Sequence, residues 1–204
     1  MFYEPKKGHS LPHNPFNALV FPRPIGWISS LSKKGIANLA PYSFFNAIAY
    51  EPPQVMFAAT DYHSNGGLKD SIANILDTKE FVVNLATKKL QQSVVHSSID
   101  APHGVDEFKL MKLKKRKSTM VQPPSVAESP ATLECKLIRK IDLKGKKINQ
   151  NIMIIGEVVG IHIKDAFISN GKVNSLAMRA ISRMGYTEYS EVKSRFLMDR
   201  PKYS

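Results

Sequence analysis

The chain has a single cysteine, Cys135, so no internal disulfide can form, which agrees with a reducing, cytoplasmic setting. Cys135 sits in the apolar run Ala131–Ile138 and reads as a small core residue rather than a nucleophile. None of the 11 glycines falls into a G-x-G-x-x-G or P-loop spacing, so a Rossmann crevice is not expected. The sequence has no H-E-x-x-H, no Cys/His ligand spacing, no G-x-S-x-G elbow and no clustered carboxylate pair. Hydrolytic and metal-dependent chemistries therefore lack their usual residues, and no metal is expected. No apolar run approaches the roughly 18 to 20 residues that cross a bilayer, so no membrane partner is expected. The first residues, MFYEPKKGHSLPHNP, lack the apolar centre of a secretion signal.

Acidic residues are also scarce: 17 Asp and Glu face 29 Lys and Arg, a net charge of +12. Much of the excess lies in Lys109–Lys117, with a second cluster at Lys144, Lys146 and Lys147. Basic runs can bind nucleic acid through phosphates. Here no aromatic platform, zinc spacing or helix-turn-helix pattern accompanies them, and a solvated helix end and loop is the plainer reading. A positive surface also draws in anionic nucleotides.

What remains is an ordinary globular composition, 43% hydrophobic and 23% charged, at a length suited to one domain over 1–204. Residues 1–22 are Pro-rich and irregular, with aromatic residues such as Phe2, Phe16 and Phe21 able to tie the arm down. Three strand-like runs follow at Ile25–Leu31, Leu39–Ala49 and Gln54–Thr60, separated by Ser32–Gly35 and Glu51-Pro52-Pro53. The loop Asp61–Lys69 leads to a helix through Ile72–Leu76, with Asp70 or Ser71 as cap. Glu80–Ala86 reads as a buried strand, Thr87–Ser98 as a helix capped by Thr87, and Asp106–Lys115 as a short amphipathic helix. Val121–Pro130 is a connector. Thr132–Leu143 and Ile152–Lys164 form a hairpin, with Glu134 and Glu157 expected at a rim or facing outward. Ala177–Met184 looks like a terminal helix, and 190–204 a polar tail. Strands at hairpin distance early and late favour a mainly β, antiparallel Greek-key barrel with inserted helices over a parallel βαβ sheet.

The strings RPIGWISS, NLAPYSFFNA and PPQVMFAA, then Lys69-Asp70-Ser71, EFVVN, GVDEF, ESPA and IGEVV, occur in order across roughly residues 20 to 190. In that order they closely resemble the flavin reductase-like family of FMN-binding split β-barrels. The resemblance implies FMN as cofactor and NADH or NADPH as electron donor. It implies that Ser29 and Ser30 face the ribityl or phosphate end of FMN. Asn38, Ala40, Pro41, Tyr42, Ser43, Phe44 and Asn46 would line the isoalloxazine, mostly with backbone groups. Lys69 and Ser71 would take the phosphate; the residues alone favour an ordinary capped helix there. Arg183 and Tyr186 would contact the nicotinamide nucleotide, Trp27 would touch flavin or fill the barrel, and the flavin would sit at a homodimer interface. A lack of acid–base residues suits this chemistry, because the flavin carries the reaction and the protein supplies position. Three readings stay open: an NAD(P)H:FMN reductase supplying reduced flavin to a monooxygenase, a flavoredoxin-like electron carrier without a nicotinamide site, and a non-catalytic binding module.

Overall fold

A computed structural model describes residues 1–203; Ser204, the end of the expected tail, lies outside the described residues. Seven strands make the main sheet: β1 Gly26–Leu31, β2 Ala37–Tyr42, β3 Phe45–Tyr50, β4 Pro53–Thr60, β5 Glu80–Leu85, β6 Ala131–Leu143 and β7 Asn151–Ile163. Their order is β2-β1-β5-β6-β7-β4-β3, antiparallel throughout. Strand β4 returns beside β7, the far member of the run β5-β6-β7, which is the Greek-key order. Strands β2 and β3 lie at opposite edges of this sheet, yet only Ser43 and Phe44 join them. So short a link forces the sheet to curl until its edges approach, giving a split barrel. Gly26 sits where they meet: a Cβ there would come 2.6 Å from the Phe45 ring.

Alternation along β1 divides the core. Ile28 packs inside the barrel with Phe57, Phe81 and Ile154. Its neighbour Trp27 points the other way, onto Leu39, Val94 and Phe108 beneath the helices. Trp27 is fully buried and its Nε1 donates to Ser97 Oγ at 2.9 Å, so it fills the body of the fold. Cys135 is buried in the barrel, and burial pushes its thiol well above its ordinary range.

Four expected elements differ. The run Leu39–Ala49 breaks at Ser43-Phe44 into two strands that pair with different partners. The helix expected over Thr87–Ser98 is a 3-10 turn, Lys88–Leu90, followed by Gln91–His96, and the Thr87 side chain makes no cap bond. The helix expected over Asp106–Lys115 shortens to Glu107–Leu110, capped by Asp106 and ended by Lys112 at φ 53°. Consequently the basic run lies partly on extended chain, where Arg116 binds Ser125 and Thr132. The largest correction is Ala177–Met184. Arg179 adopts φ 50°, the Ile181 amide bonds to the Ala86 carbonyl, and Ile181–Arg183 forms a strand between Arg23–Pro24 and Tyr189–Glu191. Long-range pairing overrides local helix propensity there. The N-terminal arm is also held differently. Phe2, Phe16, Leu19 and Phe21 are exposed, and Arg23 fastens the arm by donating to the carbonyls of Asn17 and Val20.

Glu134 is neither outward-facing nor at a rim. It is fully buried on β6 and accepts from the amides of Thr119, Met120 and Val121 and from the His162 ring. Burial alone would raise its pKa, but those donors outweigh burial and leave it below the usual carboxylate value.

Candidate functional site

A cleft of about 330 Å³ opens where the end of β2 meets α1, the helix Asp70–Thr78. That volume is within the range of ordinary ligand sites. One wall is Ala40, Pro41 and Tyr42; the opposite side carries Lys69, Asp70 and Ser71, with the segment Ser97–Ala101 as a rim. Behind the wall lies a polar network. Glu107 Oε2 accepts from the Leu39 amide at 2.8 Å and from Asn38 Nδ2 at 3.1 Å. Asn38 Oδ1 in turn accepts from Ser71 Oγ at 2.6 Å and Ser30 Oγ at 3.4 Å. Burial raises the Glu107 pKa, only partly offset by those donors. Burial also pushes the Tyr42 hydroxyl up to about 12, so it remains a proton donor at neutral pH.

Lys69, not Asp70 or Ser71, occupies the cap position of α1, and no side chain caps that end. Asp70 is drawn away because its carboxylate accepts from the Gly104 amide at 2.8 Å and contacts His103 Nδ1. The Ile72 and Ala73 amides donate to the Lys69 carbonyl, which leaves the Asp70 and Ser71 amides without intrahelical partners beside Lys69. This arrangement suits an anion. Both nitrogens of His103 face acceptors, Asp70 on one side and the Gly66 carbonyl at 3.1 Å on the other. Its pKa is accordingly raised, mainly by the bond to Asp70. His63 stacks on it with ring centroids 3.8 Å apart. The ligand atoms of His63, Asp70 and His103 lie within 4.8 Å of one another, but every ring nitrogen already faces a hydrogen-bond partner.

A second cleft, of about 480 Å³, begins where the first wall ends. Ser43 and Phe44 line it from the β2–β3 link, Arg23 and Arg183 from the short ribbon, and Tyr186 from the following turn. The arm closes it with His13, Asn14 and Asn17.

The residues expected from sequence thus separate into groups. Asn38, Ala40, Pro41, Tyr42, Lys69 and Ser71 line the first cleft. Ser43, Phe44, Arg183 and Tyr186 line the second. Ser29 and Ser30 are fully buried and line neither. Ser29 Oγ donates to the Pro124 carbonyl at 2.6 Å and accepts from Asn84, while Ser30 Oγ accepts from Asn74. Asn46 is exposed on β3, outside both clefts. Glu107 and His63 were missed as cleft residues; His103 was missed too, and it lies outside the cleft and holds Asp70 from behind. Glu107 stands in the string GVDEF, next to Asp106, and nothing local distinguished the buried carboxylate from the capping one.

A profile of the flavin reductase like domain matches residues 18–177. An uncharacterized protein of Aquifex aeolicus is 37% identical over 172 residues, covering 84% of this chain and 85% of that protein. Nitrilotriacetate monooxygenase component B from Bacillus cereus matches with a TM-score of 0.84 at 27% identity, over 94% of this chain and 100% of that one. The 2-nitrobenzoate 2-nitroreductase of Pseudomonas fluorescens matches with a TM-score of 0.80 at 28% identity, over 91% and 88%. No helix among the described residues is long and apolar enough to cross a membrane. The split-barrel order, the anion-suited cleft at α1 and the profile agree: the chain belongs to the flavin reductase-like family of split β-barrel proteins, and its function is flavin-linked redox chemistry.

Proposed function

We propose that the protein is an NAD(P)H:FMN oxidoreductase that binds FMN in the first cleft and delivers reduced flavin to a monooxygenase partner. The observation that carries this reading is the pairing of a flat, largely main-chain wall at Ala40–Tyr42 with a cationic helix start at Lys69–Ser71. Bound FMN supplies the hydride-accepting chemistry. The chain's own residues position it. Lys69, the Asp70 and Ser71 amides and Ser71 hold the phosphate, and the backbone from Asn38 to Tyr42 meets the ring system, with Ser43 and Phe44 continuing it into the adjoining cleft. Ser29 and Ser30 act from behind, Ser30 by holding Asn38 and Ser29 through Asn84. Glu107 fixes the wall by its bonds to Leu39 and Asn38. Tyr42, whose hydroxyl burial pushes up to about 12, offers a donor and no negative charge to the ring.

Arg183 and Tyr186 in the adjoining cleft would hold the nicotinamide nucleotide beside the flavin, so that the chain's contribution is proximity and orientation. No side-chain base is required between them. The Bacillus cereus relative is itself a monooxygenase component, which supports a monooxygenase as the acceptor. Strand β3 is an exposed sheet edge bearing Ile48 and Tyr50, and an edge of that kind supports a homodimer.

The test is anaerobic titration of the FMN-loaded protein with NADH and with NADPH. Bleaching of the flavin absorbance by at least one nucleotide is expected. Tight FMN binding with no reduction by either would support an electron carrier instead, and failure to bind FMN would overturn both.

A further inference from the structure

The first cleft is short of positive charge for a site that takes a phosphate. One lysine, Lys69, lines it, against three carboxylates, Asp70, Asp100 and Glu107. Two of the three are blunted where they stand. Burial disfavours the charge of Glu107. Asp100 lies on the rim, its side chain 61% exposed, where water and salt screen it. Asp70 is the exception. It opens α1, directly after Lys69, and its side chain is only 19% exposed. An uncompensated carboxylate at that point would cancel the ammonium beside it.

His103 meets that charge from outside the cleft. Its Nδ1 contacts one Asp70 oxygen, and the Gly104 amide donates to the other at 2.8 Å. Gly104 adopts φ 78°, a conformation suited to glycine, so two successive residues can grip both oxygens. The far side of the ring, Nε2, faces the Gly66 carbonyl at 3.1 Å. With an acceptor at each nitrogen, the ring is placed to carry both protons and hence a positive charge. His63 braces it by stacking at 3.8 Å. The partners of His63 are those of a neutral ring, since Nε2 lies 2.8 Å from the Ala101 carbonyl and Nδ1 accepts from the Asn65 amide at 3.1 Å. The charged and titratable groups facing His103 are thus Asp70 from α1, His63 from the loop before it, and Asp100 from the rim segment, with Lys69 adjoining Asp70. Only Asp70 bonds to it through a side chain.

We propose that His103 is the positioning residue of the phosphate end: carrying both protons, it holds and neutralises Asp70, so that Lys69 and the free Asp70 and Ser71 amides act on a phosphate unopposed, and the cleft selects FMN over riboflavin. The assignment rests on FMN lying in the first cleft. His103 does not touch the flavin. When it gives up a proton, the Asp70 charge returns beside the phosphate, and affinity for FMN falls while affinity for riboflavin, which has no phosphate, does not. By linkage, bound FMN in turn makes the His103 proton harder to remove.

Fluorescence titration of the full-length chain with FMN and with riboflavin, from pH ~7 to ~9 and so above the second phosphate ionisation near ~6, tests this. FMN binding should weaken roughly three- to tenfold across that range, with riboflavin unchanged. His103→Gln should bind FMN weakly at every pH in the range. Asp70→Asn should bind it tightly at every pH, and adding Asp70→Asn to His103→Gln should restore tight binding, which a merely misfolded loop would not show. His103→Lys keeps a cation and should stay near wild type with a flattened profile. The imidazole NMR titration of His103 should move to higher pH when FMN is bound. An FMN profile that His103→Gln leaves unchanged, a parallel loss of riboflavin binding, or no rescue in the double variant overturns the assignment while FMN binding itself stands. A wild-type chain that binds neither flavin at any pH overturns the flavin reading, and this assignment with it.

Discussion

Glu134 and Glu107 are both buried and both accept from backbone amides, yet they end on opposite sides of the ordinary carboxylate value. Glu134, on β6, meets three amides and the His162 ring, and its charge is stabilised in the fold. Glu107, behind the first cleft, has the Leu39 amide and the Asn38 amide nitrogen, and its charge is disfavoured. Burial pushes both the same way; the number of donors decides the outcome. One carboxylate is locked as structure. The other is left able to take a proton beside a ligand cleft.

Removing Glu134 should break the comparison with the largest effect. Glu134→Ala strands three amides in the interior and should cost about 3–5 kcal/mol in urea unfolding, with Glu134→Gln less damaging. Because its folded pKa is depressed, this stabilisation is present above the ordinary carboxylate value and is lost as pH falls through the depressed one. On the cleft side, Lys69→Ala should weaken FMN binding roughly 10- to 100-fold by fluorescence titration, with the unfolding midpoint unmoved.

Glu107→Gln sharpens the contrast. The raised Glu107 contributes stability fully below the ordinary carboxylate pKa, and that contribution disappears as pH rises through the raised value. The variant should flatten this part of the stability–pH profile, an effect of about 0.5–1.5 kcal/mol. A profile identical to wild type would mean Glu107 does not titrate there. The smallest change belongs to His103→Gln. The His103–Asp70 contact is complete below the ordinary histidine value near ~6.5 and is lost as pH rises through its raised one. Amide exchange in 61–69 should therefore be faster in the variant at mildly acidic pH and equal at alkaline pH.

How much of this was legible in the chain depends on how far apart the partners lie. The hairpin Ala131–Leu143 with Asn151–Ile163 was readable to within a residue or so, because apolar strands flank a polar turn. Helix α1 was equally visible from Ile72, Ile75 and Leu76 at helical spacing. The cleft wall at Ala40–Tyr42 came from a motif resemblance, and the fold places Lys69 and Ser71 across from it. What stayed hidden was set by distant neighbours. Glu107 acquires its role from Leu39, 68 positions away. Ser29 faces inward because β1 is covered on both sides, so alternation gave no sign of an exposed face. The helical pattern at Ala177–Met184 yielded to pairing with Arg23–Pro24 and Ala86, contacts no local window contains.

The central claim is that the first cleft is the FMN site, and a crystal structure of the FMN complex tests it most directly. The phosphate should lie against Lys69 and the first turn of α1, with the tricyclic ring along the backbone from Ala40 to Phe44. FMN found elsewhere, or a phosphate seated on Arg183 with the α1 end untouched, would contradict it.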